Sequence, residues 1–164
     1  MSLDSIVVDA PPSSVFGVLS DPRRYENFVV GNARIRRFDP RWPEEGSTFA
    51  HSLGMGPLVV KDTTTSIATD DASYLVLETR MGPLGTSVTV FRIGSTESGT
   101  RVEIQEDPIS GPMAWVWNPL LDRALGWRNR WLLRRLGKLA ERRFGNERSV
   151  PPAANDPGTE RHAG

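Results

Sequence analysis

A chain of 164 residues, 38% of them hydrophobic, is long enough to bury one core without metal or disulfide staples, and the absence of cysteine excludes disulfides and thiol chemistry. The formal net charge of zero is uneven: residues 1–121 carry 10 basic and 15 acidic side chains, 122–143 carry 8 and 2, and 144–164 carry 2 and 3. A dedicated nucleic-acid binder would be basic overall, no apolar run of about 18 residues is present to span a bilayer, and MSLDSIVVDAPP lacks the basic and apolar regions of a secretion signal, so neither nucleic acid nor an integral membrane segment is expected and a cytoplasmic location is.

SIVVDA (5–10) reads as a short strand. Pro11 and Pro12 suit the first turn of a helix that places Val15, Phe16 and Leu19 on one face, and Asp21-Pro22 reads as the cap and first position of a second short helix, RRYENFV. About eighty residues of β pattern follow, as ARIRRFD (33–39), STFAHSL (47–53), PLVVKDTTTSIA (57–68), YLVLETRM (74–81), TSVTVFRI (86–93) and TRVEIQE (100–106). Turn chemistry separates them at Pro40 to Gly46, Gly54 to Gly56, Asp70-Asp71, Gly82-Pro83 and Ser98-Gly99, and such short connections predict an antiparallel meander.

Asn118 and Pro119 then supply a cap and first position for a long helix, which Gly145 and Asn146 are expected to stop. At 100° per residue Leu121, Leu125, Leu132, Leu136 and Leu139 form one stripe, with Ala124 and Trp131 at its edge, and this stripe is expected to face the sheet. Arg123, Arg130, Arg134 and Lys138 fall on another sector, expected to be solvated. Gly126 and Gly137 fall opposite the leucines and each costs about 1 kcal/mol relative to alanine, which leaves room for bending as their only rationale. Residues 146–164, with three prolines and no aromatic, read as a disordered tail behind a folded domain of residues 1–145.

The order of strand, two short helices, six strands and a long helix, together with VDAPPSSVFGVLSDPRRYENF and GTRVEIQEDPISGP, resembles the START-like (SRPBCC) helix-grip superfamily. That superfamily holds polyketide cyclases and dehydrases, plant Bet v 1-type allergens and lipid-transfer domains. The resemblance covers roughly residues 3–143. It implies an α+β fold in which a curved antiparallel sheet of about seven strands wraps a long C-terminal helix, with an apolar cavity between them. It carries no invariant catalytic signature, and a shared fold does not settle function.

Strand alternation names the cavity-facing residues: Phe49, His51 and Leu53; Leu75, Leu77 and Thr79; Thr89, Phe91 and Ile93; Val102, Ile104 and Glu106. PLVVKDTTTSIA is too irregular to assign an inner face. The polar intruders are therefore His51, Thr79, Thr89, Glu106 and, about 20° from Leu121 and Leu139 on the helix projection, Arg128. A guanidinium there needs an acidic partner, a ligand anion or water, and Glu106 is the candidate partner. Trp131 and Leu132 complete the candidate wall on the helix, Trp115, Trp117 and Trp127 are further wall candidates, and Trp42 between two prolines is a candidate cap for the opening.

His51, with a reference pKa near 6.5, and Glu106 are the candidate proton-transfer groups. A zinc site has no support without cysteine or a second histidine in the folded region, and no GxGxxG, P-loop or nucleophile elbow is present, so neither metal nor cofactor is expected. The leading expectation is a carrier or sensor of a small, largely hydrophobic molecule such as a polyketide, lipid or aromatic metabolite. The alternatives are a polyketide aromatase/cyclase or dehydratase using the same cavity, and a peripheral membrane or partner-binding module acting through the basic helix and Trp127.

Overall fold

The computed structural model describes residues 2–30, 34–55, 58–70, 72–115 and 119–149. Strand β1 (Ser2–Val8) leads into helix α1 (Pro12–Leu19), a 3-10 turn at Pro22–Arg24 and the one-turn helix α2 (Tyr25–Phe28). Proline at the start of α1 forfeits only an N–H that has no helical partner. Asp21 caps the next turn as its spacing predicts, its Oδ1 accepting from the Arg23 N–H at 3.1 Å. Six strands follow: β2 (Arg34–Phe38), β3 (Thr48–Met55), β4 (Leu58–Asp70), β5 (Tyr74–Arg80), β6 (Thr86–Thr96) and β7 (Gly99–Ser110). Helix α3 (Pro112–Trp115) and the long helix α4 (Pro119–Ser149) end the described chain.

All seven strands form one antiparallel sheet in the order β1-β7-β6-β5-β4-β3-β2. The meander from β2 to β7 is the one the short turns predict. β1, however, joins the far side, pairing Ser2 with Glu106 and Val8 with Thr100. The two ends of the sheet are therefore β1 and β2, which are neighbours in sequence, and α1 and α2 have to bridge them. Val15, Val18 and Leu19 of α1 and Phe28 of α2 pack with Leu75, Val102, Ile104, Leu133 and Leu136 in one core on the inner face of the sheet.

Helix α4 departs from the sequence reading in three ways. It does not stop at Gly145 and Asn146 but runs to Ser149, whose hydroxyl returns a hydrogen bond to the Gly145 carbonyl at 2.8 Å. Residues 146–149, assigned to the tail by the sequence, form the last turn of this helix; residues 150–164 lie outside the described residues, as do the Asn118 cap and the side chain of Leu121. Second, the buried positions are Leu125, Gly126, Asn129, Leu132, Leu133, Leu136, Gly137 and Ala140, an arc turned roughly 65° from the centre of the leucine stripe, so that Leu139 sits at its margin. The cause is that α4 touches β1 on one flank and α1 on the other, and buries whatever faces both.

Third, Gly137 is not on a free face. It is buried against β1, and a Cβ there would lie 3.2 Å from Ile6 Cδ1 and 3.2 Å from Val8 Cγ2. Glycine allows the helix to approach the edge strand closely. Gly145, in contrast, has open space around it. Gly137→Leu should therefore cost about 1–3 kcal/mol by overpacking, while Gly145→Ala should gain up to about 1 kcal/mol of helix propensity. Thermal melting of the two variants checks both signs; destabilisation by Gly145→Ala would mean that the helix ends there after all.

Candidate functional site

Register places the inward side chains in rows across the sheet, because antiparallel partners point to the same face. His51 of β3 stands opposite Asp62 of β4. The next row holds Phe49, Thr64, Thr79 and Ser87, and the one after it Ser66, Leu77, Thr89 and Glu106. These rows are unusually polar for the inner face of a sheet: His51, Asp62, Thr64, Ser66, Ser87 and Glu106 are all buried. Burying such groups costs free energy unless each finds a partner.

Some do. The Thr64 and Thr79 hydroxyls bond each other at 3.0 Å, and the Ser66 hydroxyl donates to the Pro43 carbonyl at 2.8 Å. Glu106, 4% exposed, accepts from Arg128 through Oε2···Nη2 at 2.6 Å, the partnership the helix register predicts. Arg128 is not deep in the stripe, because the buried arc is turned away from it; its side chain is 34% exposed and bridges the helix rim to the last strand.

Others find no hydrogen bond among the described residues: His51 Nδ1, both carboxylate oxygens of Asp62, and Arg128 Nε. His51 Nε2 lies 3.8 Å from Asp62 Oδ2, too far for a hydrogen bond. Burial pushes the imidazole down to about 4, aided by the positive charge of Arg36, so His51 is neutral at physiological pH. Burial also pushes the Asp62 carboxyl up to about 6, and Arg36 opposes this only in part. Arg36 is spent on the backbone instead, donating to the His51 carbonyl at 3.3 Å and the Asp62 carbonyl at 3.5 Å. The contact is thus a carboxylate beside a neutral imidazole.

Between the sheet and α4 lies a pocket of about 80 Å³. Of the residues named from alternation and helix phase, Phe49, His51, Leu77, Thr79, Thr89, Phe91, Ile104, Glu106, Arg128 and Leu132 lie on its wall. Leu75 belongs to the core rather than the wall. Trp131 is a correction: it stands off the wall with the Arg135 guanidinium 3.3 Å from its ring centroid. Trp127 points outward at 67% exposure. Trp42 caps nothing; it is buried, packs edge-on against Phe49 at 4.6 Å and donates its indole N–H to the Leu19 carbonyl at 3.0 Å. The side chains of Leu53, Trp115 and Trp117 lie outside the described residues.

Alternation did not reach the other wall residues. Tyr25 and Phe28 come from α2, Ile35 from β2, and Thr64 from the strand whose inner face was unassigned. Tyr25 donates its hydroxyl to the Leu19 carbonyl at 3.0 Å, and full burial holds the phenol neutral, far above its ordinary pKa. Asp62 is the most consequential omission. A hairpin centred on Gly56-Pro57 would have placed it opposite His51, but β4 shows no polar–apolar alternation along VKDTTTS, and a bulge between Ser66 and Ala68 interrupts its register with β5. Among the described residues no group of three His, Cys, Asp or Glu is placed to hold a metal ion.

A curved antiparallel sheet closed over a long C-terminal helix, with a pocket between the two, defines a helix-grip protein. The chain belongs to the polyketide cyclase/dehydrase and lipid transport family, whose model matches residues 4–141. No curated protein matches it. Solved structures share the fold at low identity. Protein CV1439 from Chromobacterium violaceum is 18% identical with a TM-score of 0.65, over 84% of this chain and 94% of that one. Protein Ms6760 from Mycobacterium smegmatis is 18% identical with a TM-score of 0.63, over 84% and 88%. The di-domain aromatase/cyclase StfQ of the steffimycin biosynthetic pathway is 16% identical with a TM-score of 0.67, over 87% of this chain and 51% of that one.

The His51–Asp62 contact has a pH signature. The imidazole is depressed in the fold, so its contribution is present above about 6.5 and is lost as pH falls towards about 4. The carboxyl is raised, so its contribution is present near pH 4 and is lost as pH rises through about 6. The two oppose each other. Relative to wild type, Asp62→Asn should lose melting temperature between pH 7 and 4.5, and His51→Gln should gain it. Parallel pH–melting curves for all three proteins would show the pair to be uncoupled from folding.

The ion pair has its own test. Arg128→Ala should destabilise by about 2–3 kcal/mol, below the usual range for a fully buried pair because the guanidinium is partly solvated. A double variant, Glu106→Leu with Arg128→Met, should recover much of that loss, and denaturant midpoints around the cycle measure the coupling.

Proposed function

We propose that this protein binds a small, largely apolar molecule that carries hydrogen-bonding groups, in the pocket between the sheet and α4. The observation that carries the reading is the pairing of an apolar wall (Phe28, Phe49, Leu77, Phe91, Ile104, Leu132) with buried polar atoms, His51 Nδ1 and Arg128 Nε, that find no hydrogen bond among the described residues. The apolar wall supplies affinity at roughly 25 cal/mol per Å² buried, and the polar groups orient the ligand. His51 at one side and the Glu106–Arg128 pair at the other give two places where a hydroxyl, carbonyl or carboxylate is recognised. Family membership supports the ligand class, since the family is described by polyketide chemistry and lipid transport. The pocket's 80 Å³ is well short of the roughly 300 Å³ of a drug-sized site, so a ligand larger than a single ring widens it on entering.

A second reading, cyclisation or dehydration of a polyketide chain, is favoured by one specific observation: the His51 imidazole on the pocket wall with the Asp62 carboxyl 3.8 Å behind it. A carboxyl tuned to about 6 exchanges a proton readily near neutral pH, and once the pair closes from 3.8 Å to hydrogen-bond distance Nε2 takes that proton while Nδ1–H gives one to a bound carbonyl. Positioning of the substrate by the walls would supply the larger part of the acceleration.

An environment-sensitive apolar dye should bind the native protein saturably, and Thr89→Phe, which fills the pocket from the middle of the sheet, should abolish binding without loss of the folded signal. Native mass spectrometry of the purified protein should find a co-purifying small molecule that the same variant loses. Unchanged dye binding by Thr89→Phe would place the dye elsewhere and sink the pocket reading.

A further inference from the structure

We propose that the outer face of α4 docks on an anionic phospholipid surface. The helix buries one side in the core and leaves a continuous stripe facing outward. Arg123, Trp127, Arg134, Lys138 and Arg142 lie within about 100° of one another on the projection and extend over about 29 Å of axis. All five are exposed, Trp127 at 67%.

The cations of the helix are not equivalent. Arg128 is held by Glu106, and Arg130 lies 3.4 Å from Asp4. Arg135 covers Trp131, and Arg143 pairs with Glu147 at 2.8 Å. Arg123, Arg134, Lys138 and Arg142, by contrast, make no ion pair or hydrogen bond among the described residues. The single acid in this part of the helix, Glu141, is exposed at the edge of the stripe and accepts from the Asp9 N–H at 3.4 Å. The acidic body therefore does not neutralise the stripe: its contacts with α4 involve other residues, and four cations remain over.

What distinguishes a lipid surface from other polyanions is the tryptophan. An indole in the middle of a basic stripe sits at the headgroup level of a bilayer, where its ring is partly dehydrated and its N–H stays wet, while Lys and Arg stems reach up to the phosphates. Each cation near an anionic leaflet contributes about 1 kcal/mol. A nucleic-acid groove would draw cations from several elements, whereas the four cations of this stripe lie on one helix face with an indole among them. No helix among the described residues is long and apolar enough to cross a membrane, so the contact would be peripheral. Arg128, which lines the pocket, is next in sequence to Trp127, so the docked face would adjoin the pocket's rim. The surface does not depend on what the pocket holds.

Co-sedimentation of the full chain with large vesicles tests this. The protein should bind phosphatidylcholine vesicles containing about 30 mol% phosphatidylserine at about 0.1 M salt, should ignore pure phosphatidylcholine, and should be released as salt approaches 0.5 M. Removing two cations in Arg134→Gln/Lys138→Gln should lower the partition coefficient about 30-fold, from about 1 kcal/mol per cation. Arg134→Glu/Lys138→Glu should abolish binding, and Trp127→Ala should weaken it several-fold; all three variants should melt as wild type because the residues are exposed. The proposal is overturned if the double variants bind like wild type, if both vesicle compositions bind equally or not at all, or if duplex DNA of equal phosphate concentration competes the vesicles off. It is also overturned if the variants abolish self-association of the chain and nothing else.

Discussion

The pairing of the first strand with the last organises this molecule. Once β1 lies beside β7 instead of beside β2, the segment between β1 and β2 must cross the sheet, and it does so as α1 and α2 on the concave side. The same pairing presents Ile6 and Val8 to the closing helix, and Gly137 lets that helix come within contact distance of them. The long helix is thus clamped between an edge strand and α1, and its buried arc follows from the clamp. A pocket remains where the sheet curves away from α4 and the short α2 turn covers only part of the gap.

The wall of that pocket departs from ordinary core composition in one direction. β4 contributes Thr64, β6 Ser87 and Thr89, and β7 Glu106, where a purely structural wall would place valine or isoleucine, and Asp62 and Ser66 are buried on the same face behind it. The threonine pair and the Glu106–Arg128 pair compensate their own burial. Asp62 and His51 do not, and their burial without a hydrogen bond is what depresses the imidazole and raises the carboxyl. Functional sites are where such local costs are retained, which is why the pair carries more of the functional argument than the apolar residues around it.

Helix α4 serves both faces of the molecule. Its inner arc includes Leu132, Leu133, Leu136 and Ala140, closing the core. Its outer stripe leaves four cations and an indole unengaged by the body, although the chain as a whole is neutral. Arg128 stands at the boundary between them, part core ion pair and part surface.

Periodicity and turn chemistry alone determined the seven strands, the two short helices, the long helix and most of the pocket wall, because each depends on contacts a few residues apart. The partnership of Arg128 with Glu106 was legible for the same reason: helix phase and strand alternation each name one buried charge, and a buried charge requires another. Only the tertiary structure decided the rest. Which strand borders β1, how far the buried arc of α4 turns from its leucines, why Gly137 is glycine and where Trp42 and Trp131 go all depend on elements distant in sequence. Asp62 belongs with these. A strand buried among polar partners loses the alternation that marks an inner face, so its carboxyl became visible as His51's neighbour only when the register of β3 and β4 was in place.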